Sequence, residues 1–120
     1  MIISFAWTTQ ALLDGRKRCT RRMWNDKYLE QWQRAFDEGR LIHDAYDKSP
    51  RIGGHKVGEI RLTRRPYRER LADMPKADLI EEGNLWKSKE EFIDLFGGPD
   101  LEPVVIRFEL VNGTSETRNP

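Results

Sequence analysis

The sequence predicts an α+β fold, in which a small and mostly antiparallel sheet curls into a barrel with helices packed outside. Residues 59–63 and 104–110 alternate apolar and polar side chains, as half-buried strands do. Residues 26–39 and 88–96 instead carry apolar side chains at helical spacing. The strand and helix patterns do not alternate regularly along the chain, which argues against a doubly wound parallel sheet.

The first half is predicted to begin with an apolar strand over residues 2–7. Thr8 or Thr9 would cap a short helix that Gly15 ends, because glycine tolerates a left-handed backbone. A turn leading into a strand is predicted next, at residues 16–23, and a long amphipathic helix follows at residues 26–39. After it come a strand at residues 41–46, a loop at residues 47–54 and a further strand at residues 59–63.

The second half is predicted to contain two short helices and a closing strand. Gly83 would end a helix over residues 75–82, and Ser88 with Glu91 forms a capping box for the next one. The closing strand occupies residues 104–110. We expect residues 1–111 to form a single domain and residues 112–120 to be a flexible tail.

Composition and charge narrow the class of protein. One cysteine among 120 residues excludes an internal disulfide and a cysteine-rich metal site. Residues 1–7 have no basic flank and too few apolar residues for a signal peptide, so we expect a cytoplasmic protein without a membrane span. The first 70 residues carry a net charge of +7 and the last 50 a net charge of −6. This polarity indicates either an electropositive surface or two halves that pair with each other.

The most basic segment, residues 16–22, holds five cations in seven positions. Such a run neutralises phosphates, and aromatic side chains near it could stack on unpaired bases. A solvated charged face and ordinary core aromatics explain the same pattern. A loop rich in Pro and Gly at residues 47–54 could close over a ligand. The residues predicted to bind a ligand are Arg16, Arg18, Arg22, Trp24, Ser49, Arg51 and Tyr67.

The segment Gly15-Arg16-Lys17-x-x-Thr20-x-Arg22 resembles the signature of the ASCH domain family. The resemblance continues in residues 56–62, in the Glu82-Gly83 turn, in residues 88–92 and in the closing strand, and so covers nearly the whole chain. Residues 26–54 are longer than in the smallest members, as in a subgroup with a helical insertion. The resemblance implies a PUA-like β-barrel that binds RNA or a modified nucleoside.

Some members of that family are amidohydrolases that remove the acetyl group of N4-acetylcytidine, and their Lys, Thr and Glu correspond to Lys17, Thr20 and Glu82. The alignment leaves open whether Glu81 or Glu82 is the matching glutamate. Cations around Lys17 should lower its pKa, so that it could accept the Thr20 proton while Glu82 protonates the departing amine. Positions 17 and 20 face opposite sides of a regular strand, so a turn or bulge must lie between them.

Three functions therefore remain open at this stage. The first is binding of RNA or a nucleoside-like small molecule in a cleft formed by residues 15–22, the loop 47–56 and the Glu82-Gly83 turn. The second is a metal-independent amidohydrolase or a ribonuclease that uses the same residues. The third is a non-catalytic protein-interaction module with a convex basic surface. No cofactor or metal is expected, and the oligomeric state is not predicted.

Overall fold

A computed structural model describes residues 1–113 of the chain. Its six strands are β1 Ile2–Ser4, β2 Cys19–Arg22, β3 Ile42–Tyr46, β4 Lys56–Leu62, β5 Tyr67–Arg68 and β6 Val104–Gly113. Its four α-helices are α1 Thr9–Leu13, α2 Asp26–Asp37, α3 Asp78–Glu81 and α4 Lys89–Phe96. Three short 3-10 turns lie at Ala6–Thr8, Pro50–Ile52 and Leu71–Asp73. None of these helices is both long and apolar enough to span a bilayer.

The long helices begin where side-chain caps satisfy their first free N–H groups. The Asn25 side chain accepts a hydrogen bond from the Tyr28 amide at the start of α2, and the Ser88 hydroxyl accepts one from the Glu91 amide at the start of α4. The predicted cap of α4 is confirmed. In α1, neither Thr8 nor Thr9 caps the helix, because each hydroxyl donates to a carbonyl three residues earlier.

The strands form one curled sheet in the order β1-β3-β4-β6-β2, with β5 also paired to β6. The β1–β3 pair is parallel and the other four pairs are antiparallel, so the sheet is mixed. Among residues 1–113 no pairing joins β1 to β2. The sheet is therefore a half-barrel with helices around it. The predicted α+β class is confirmed, whereas a closed barrel is not seen.

Two apolar clusters hold these elements together. The larger lies between the sheet and α2, and its fully buried centre includes Trp32, Leu12 and Ile60. The smaller cluster packs Leu71 and Met74 against α3 and α4. The first cluster joins α2 to the sheet and the second joins α3 to α4. Burying each large apolar side chain stabilises the fold by roughly 1.5–3 kcal/mol.

The opening strand is shorter than predicted and the closing strand is longer. β1 ends at Ser4, and Ala6 adopts a positive φ of 46°, an unfavourable conformation for a residue with a Cβ. This bend leaves Trp7 in a 3-10 turn and 70% exposed, so its assignment to the strand was wrong. β6 runs through Gly113 and so includes two residues of the predicted tail. The rest of that tail, residues 114–120, lies outside the described residues.

We predict that Gly58→Ala destabilises the β4–β6 pair. Gly58 faces Gly113 in the ladder, and an added Cβ would lie 2.2 Å from the backbone carbonyl oxygen of Asn112. The strands must separate to relieve this overlap, at an expected cost of about 1–3 kcal/mol in the free energy of unfolding. Gly113→Ala is the matched control, because its Cβ would meet only the movable side chains of Leu110 and Leu13. Equal urea midpoints for the two variants would contradict the prediction.

Candidate active site

The chain before β2 lies against the end of α3 through backbone hydrogen bonds. Lys17 forms an isolated antiparallel bridge with Glu82, and the Arg18 amide donates to the Glu81 carbonyl at 2.6 Å. Gly83 follows with a φ of +117°, and a Cβ there would come within 3.1 Å of the Ala11 methyl group. The left-handed turn and the close packing against α1 therefore favour glycine next to Glu82.

Lys17 and Glu82 form a buried ion pair at the centre of this contact. The Lys17 Nζ donates to Glu82 Oε1 at 2.9 Å and to the Glu82 backbone carbonyl at 3.1 Å, and both side chains are almost fully buried. Burial lowers the pKa of Lys17, and its attraction to Glu82 opposes that shift without cancelling it. The predicted direction is confirmed, but the main cause is desolvation, and repulsion from Arg22 is a smaller effect.

Arg21 approaches Glu82 from the side opposite Lys17 and donates hydrogen bonds to three carboxylates. Its Nη1 donates to Glu82 Oε2 at 3.0 Å, and its Nη2 donates to Asp78 at 2.6 Å and to Glu69 at 2.8 Å. Arg107 also donates twice to Asp78, at 3.1 and 2.7 Å. Burial would raise the pKa of Asp78, but these hydrogen bonds outweigh it and the pKa is lowered. We call Lys17, Arg21, Asp78 and Glu82 the buried ion cluster.

Thr20 and Arg22 lie together beside the buried ion cluster. The Arg22 Nε donates to Thr20 Oγ1 at 3.3 Å, and the guanidinium lies 5.5 Å from the centre of the Phe5 ring. Within residues 1–113 the two terminal nitrogens of Arg22 have no hydrogen-bond partner. Because Lys17 precedes the first residue of β2, the strand alternation that would separate it from Thr20 does not apply.

These side chains line one concave pocket of about 260 Å³, which we call the site pocket. Its polar lining includes Lys17, Thr20, Arg21, Arg22 and Glu82. The remaining lining residues come from the turn after β1 and from the region of α4, and they are Ser4, Phe5, Ala6, Trp7, Thr8, Trp86, Phe92 and Phe96. The arrangement joins a buried amine, a hydroxyl and a carboxylate to an apolar wall, a combination typical of binding and catalytic sites.

The fold has a counterpart among solved structures. The crystal structure of protein EF3133 from Enterococcus faecalis V583, assigned to the family model DUF984, is 20% identical to this chain with a TM-score of 0.61. The match covers 96% of this chain and 73% of that one. It shows a shared fold. No family model matches the sequence, and no curated protein matches it. The small curled sheet is compatible with the ASCH resemblance, which these comparisons do not confirm.

The structure brings Lys17, Thr20, Glu82 and Arg22 to the same pocket. It also separates the two candidate glutamates, because Glu81 pairs with the exposed Arg18 while the Glu82 side chain is 3% exposed and contacts Lys17. In the described part of the chain no hydrogen bond joins Lys17 to Thr20. The three predicted catalytic residues thus share one cavity, and two of them are in direct contact.

The other predicted ligand-binding residues lie away from the site pocket. Arg16 pairs with Asp14 and Arg18 with Glu81, both at the surface. Trp24 stacks on Trp32 in the large apolar cluster, and the Tyr67 hydroxyl accepts from Arg107. Ser49 caps the 3-10 turn that contains Arg51. The loop 47–56 contributes nothing to the lining, and its predicted place is taken by Trp7 and the α4 region.

Sequence reasoning missed Arg21 and all of the aromatic wall except Trp7, which lies near the basic segment in sequence. Trp7 alternates with Phe5 and so matched a strand, and Phe92 and Phe96 were assigned to the inner face of a helix without a role in the pocket. Trp86 lies between two predicted helices and was not noticed. Three large aromatic residues, Trp86, Phe92 and Phe96, follow the Glu82-Gly83 turn closely, and this is a signal that could have indicated the wall. Arg21 was not among the predicted ligand-binding residues, since adjacent strand residues face opposite sides of a sheet and Arg22 shares the side of Thr20, but both arginines line the pocket.

Cys19 and His43 are unsuited to nucleophilic catalysis here. Cys19 is fully buried, and burial raises the pKa of its thiol to about 12, so the thiolate is not formed near neutral pH. The His43 ring packs against Trp32 at 4.6 Å and its Nε2 lies 3.0 Å from the Arg40 carbonyl oxygen. Among residues 1–113 no group of His, Cys, Asp or Glu is arranged to hold a metal ion.

We predict that Arg21→Met destabilises the fold strongly. The substitution removes the partner that Glu82, Asp78 and Glu69 share in a buried region. The free energy of unfolding should therefore fall by about 3–5 kcal/mol. Arg18→Met is the control, because its ion pair with Glu81 is exposed and worth less than about 1 kcal/mol. Urea unfolding followed by circular dichroism measures both. A midpoint for Arg21→Met equal to that of Arg18→Met would show that the cluster contributes little to stability.

Proposed function

We propose that the chain binds a nucleoside-like small molecule in the site pocket. The observation that carries this proposal is the pairing of an aromatic wall with unpartnered Arg22 donors in a cavity of about 260 Å³. A planar base can pack against Trp86 and Phe92 while Arg22 and Thr20 hydrogen-bond its polar edge. The volume suits one base or nucleoside, and the ASCH resemblance supports the same ligand class.

The charges around residues 16–22 favour a small molecule over an extended RNA strand. Counterion release requires cations that are free to contact phosphates. Here Arg16, Lys17, Arg18 and Arg21 each pair with a carboxylate of the protein. Three of these four cations, Lys17, Arg18 and Arg21, pair with acidic residues of the second half. A single nucleoside does not depend on a long electropositive surface.

We predict that Arg22→Met weakens the binding of cytidine about 10- to 100-fold. The variant keeps an apolar stem beside Phe5 but loses hydrogen bonds from a charged donor, each worth roughly 1.5–3 kcal/mol. Trp86 lines the pocket, so tryptophan fluorescence can follow the titration. The control Arg18→Met should bind as the unaltered chain does. Binding that is lost equally in both variants, or RNA binding that falls steeply with salt, would contradict the small-molecule proposal.

The buried pair of Lys17 and Glu82 favours a second candidate, hydrolysis of an amide bond on the bound nucleoside. Burial lowers the pKa of Lys17, which favours the neutral amine that a general base requires. Lys17, directly or through one water, would take the proton of Thr20 as Oγ1 attacks the amide carbonyl carbon. Arg22 would stabilise the oxyanion. Breaking the C–N bond would release the amine, which receives the proton from Lys17 and leaves an acyl-threonine for water to hydrolyse.

Glu82 has a different role in this mechanism from the one that the sequence indicated. Its two oxygens accept hydrogen bonds from Lys17 and Arg21. With both oxygens held by donors of the protein, Glu82 is poorly placed to protonate the departing amine. We therefore assign proton return to Lys17 and propose that Glu82 stabilises the Lys17 ammonium group formed during the reaction.

We predict that kcat/KM for N4-acetylcytidine rises with pH through the pKa of Lys17, because only the neutral amine can accept the Thr20 proton. The carboxylate of Glu82 raises that pKa, so Glu82→Gln should move the rising limb to lower pH. Lys17→Met should abolish turnover, and Arg18→Met should leave the profile unchanged. Ultraviolet absorbance follows the reaction. A pH profile that Glu82→Gln does not move would rule out Lys17 as the base.

A further inference from the structure

A second cavity adjoins the site pocket and is lined entirely by apolar side chains. This aromatic groove, of about 370 Å³, is lined by Trp7, Trp86, Phe92, Leu95 and Phe96. All of these except Leu95 also line the site pocket. Trp86 is central, since its ring lies 5.7 Å from Trp7 and 4.6 Å from Phe92 in edge-to-face contacts. The groove and the site pocket are therefore two parts of one continuous depression.

The groove exposes unusual apolar surface. Trp7 is 70% and Leu95 is 71% exposed, the two highest values among the large apolar side chains of residues 1–113. Exposed apolar surface beside a polar cavity is a common feature of ligand sites. The positive φ of Ala6 holds Trp7 in this position at an energetic cost, and strained backbone of this kind is concentrated at functional sites.

The chemistry of the lining limits what the groove can receive. Apart from two indole N–H groups, its side chains offer no hydrogen-bonding atom. A ribose placed there would lose water from its hydroxyls without replacement, which is unfavourable. An acetyl methyl group, close to the size of one water at about 30 Å³, would leave most of the groove empty. An apolar group of several carbons matches both the lining and the volume.

We propose that the aromatic groove binds the acyl substituent of the ligand and that the preferred ligands are nucleosides carrying an acyl group larger than acetyl. This inference rests on the proposed nucleoside site. With the amide carbonyl near Thr20 and Arg22, the base packs in the site pocket against Trp86 and Phe92, and the sugar lies on the polar side of that pocket. The acyl chain then extends between Trp7 and Phe92 toward Leu95.

The test compares the binding of N4-ethylcytidine and N4-hexylcytidine to the full chain. Both compounds lack the carbonyl and cannot be hydrolysed, so calorimetry measures binding alone. Full burial of a methylene increases affinity about fourfold. The groove is open on one side, so we expect about half of that burial, or roughly twofold for each methylene. The four added methylenes should make hexyl bind about 15-fold more tightly than ethyl.

Two variants test whether the higher affinity for N4-hexylcytidine arises from contacts in the groove. Trp7→Ser and Leu95→Ser remove its most exposed walls and should each reduce the hexyl-to-ethyl ratio to about threefold or less, while the binding of cytidine changes little in Leu95→Ser. Ile52→Ser is the matched control, because Ile52 is equally exposed, at 68%, and lies outside both cavities. It should retain the full ratio. Urea unfolding checks that all three variants are folded.

The outcomes separate this inference from the proposal on which it rests. If cytidine and both derivatives fail to bind, the nucleoside site itself is wrong. If all three bind with equal affinity, the nucleoside site stands and the acyl groove is wrong. If both groove variants still prefer N4-hexylcytidine, the hexyl group binds elsewhere on the protein and the inference is overturned. Self-association that Trp7→Ser and Leu95→Ser abolish would identify the groove as a protein interface instead.

Discussion

The buried ion cluster is the constraint on which the rest of the structure depends. It joins β2 to α3 across 61 positions of sequence, through the 3.0 Å contact of Arg21 with Glu82. A buried charged group without a partner is costly, so burial of Arg21 requires the carboxylates that surround it. Folding must therefore bring the end of α3 onto β2. That contact also creates the hollow between β2, the turn after β1 and α4.

The same cluster determines what kind of chemistry the hollow can support. Arg21 and Lys17 neutralise Glu82, so the pocket presents little excess charge apart from Arg22. Desolvation acts on Lys17 more strongly than its attraction to Glu82, which moves its amine toward the neutral form. Lys17 and Arg21 are both directed at Glu82, which leaves Arg22 as the pocket-lining cation, among residues 1–113, whose terminal nitrogens are free to contact a ligand. The charge polarity of the sequence thus serves internal pairing at this site.

Local patterns in the sequence predicted most elements of the fold and part of the site. Alternation fixed β4 and β6, and the capping box at Ser88 fixed the start of α4, because these signals act within a few residues. The parallel β1–β3 pair and the two-residue β5 depend on distant partners and have no local signal. The position of Trp7 depends on the bend at Ala6, a backbone conformation that residue type does not indicate.

The site itself was predictable only where one segment carried several of its residues. Lys17, Thr20 and Arg22 lie within six positions, so a short motif could identify them together. The wall from Trp86 and Phe96 lies more than 60 positions away and reaches the pocket only because α3 and α4 pack as a second apolar cluster. The aromatic wall therefore reaches the same pocket as Lys17 and Glu82 through contacts that a short motif does not contain. The fold thus holds the polar lining of the pocket by buried charge and its aromatic lining by apolar packing.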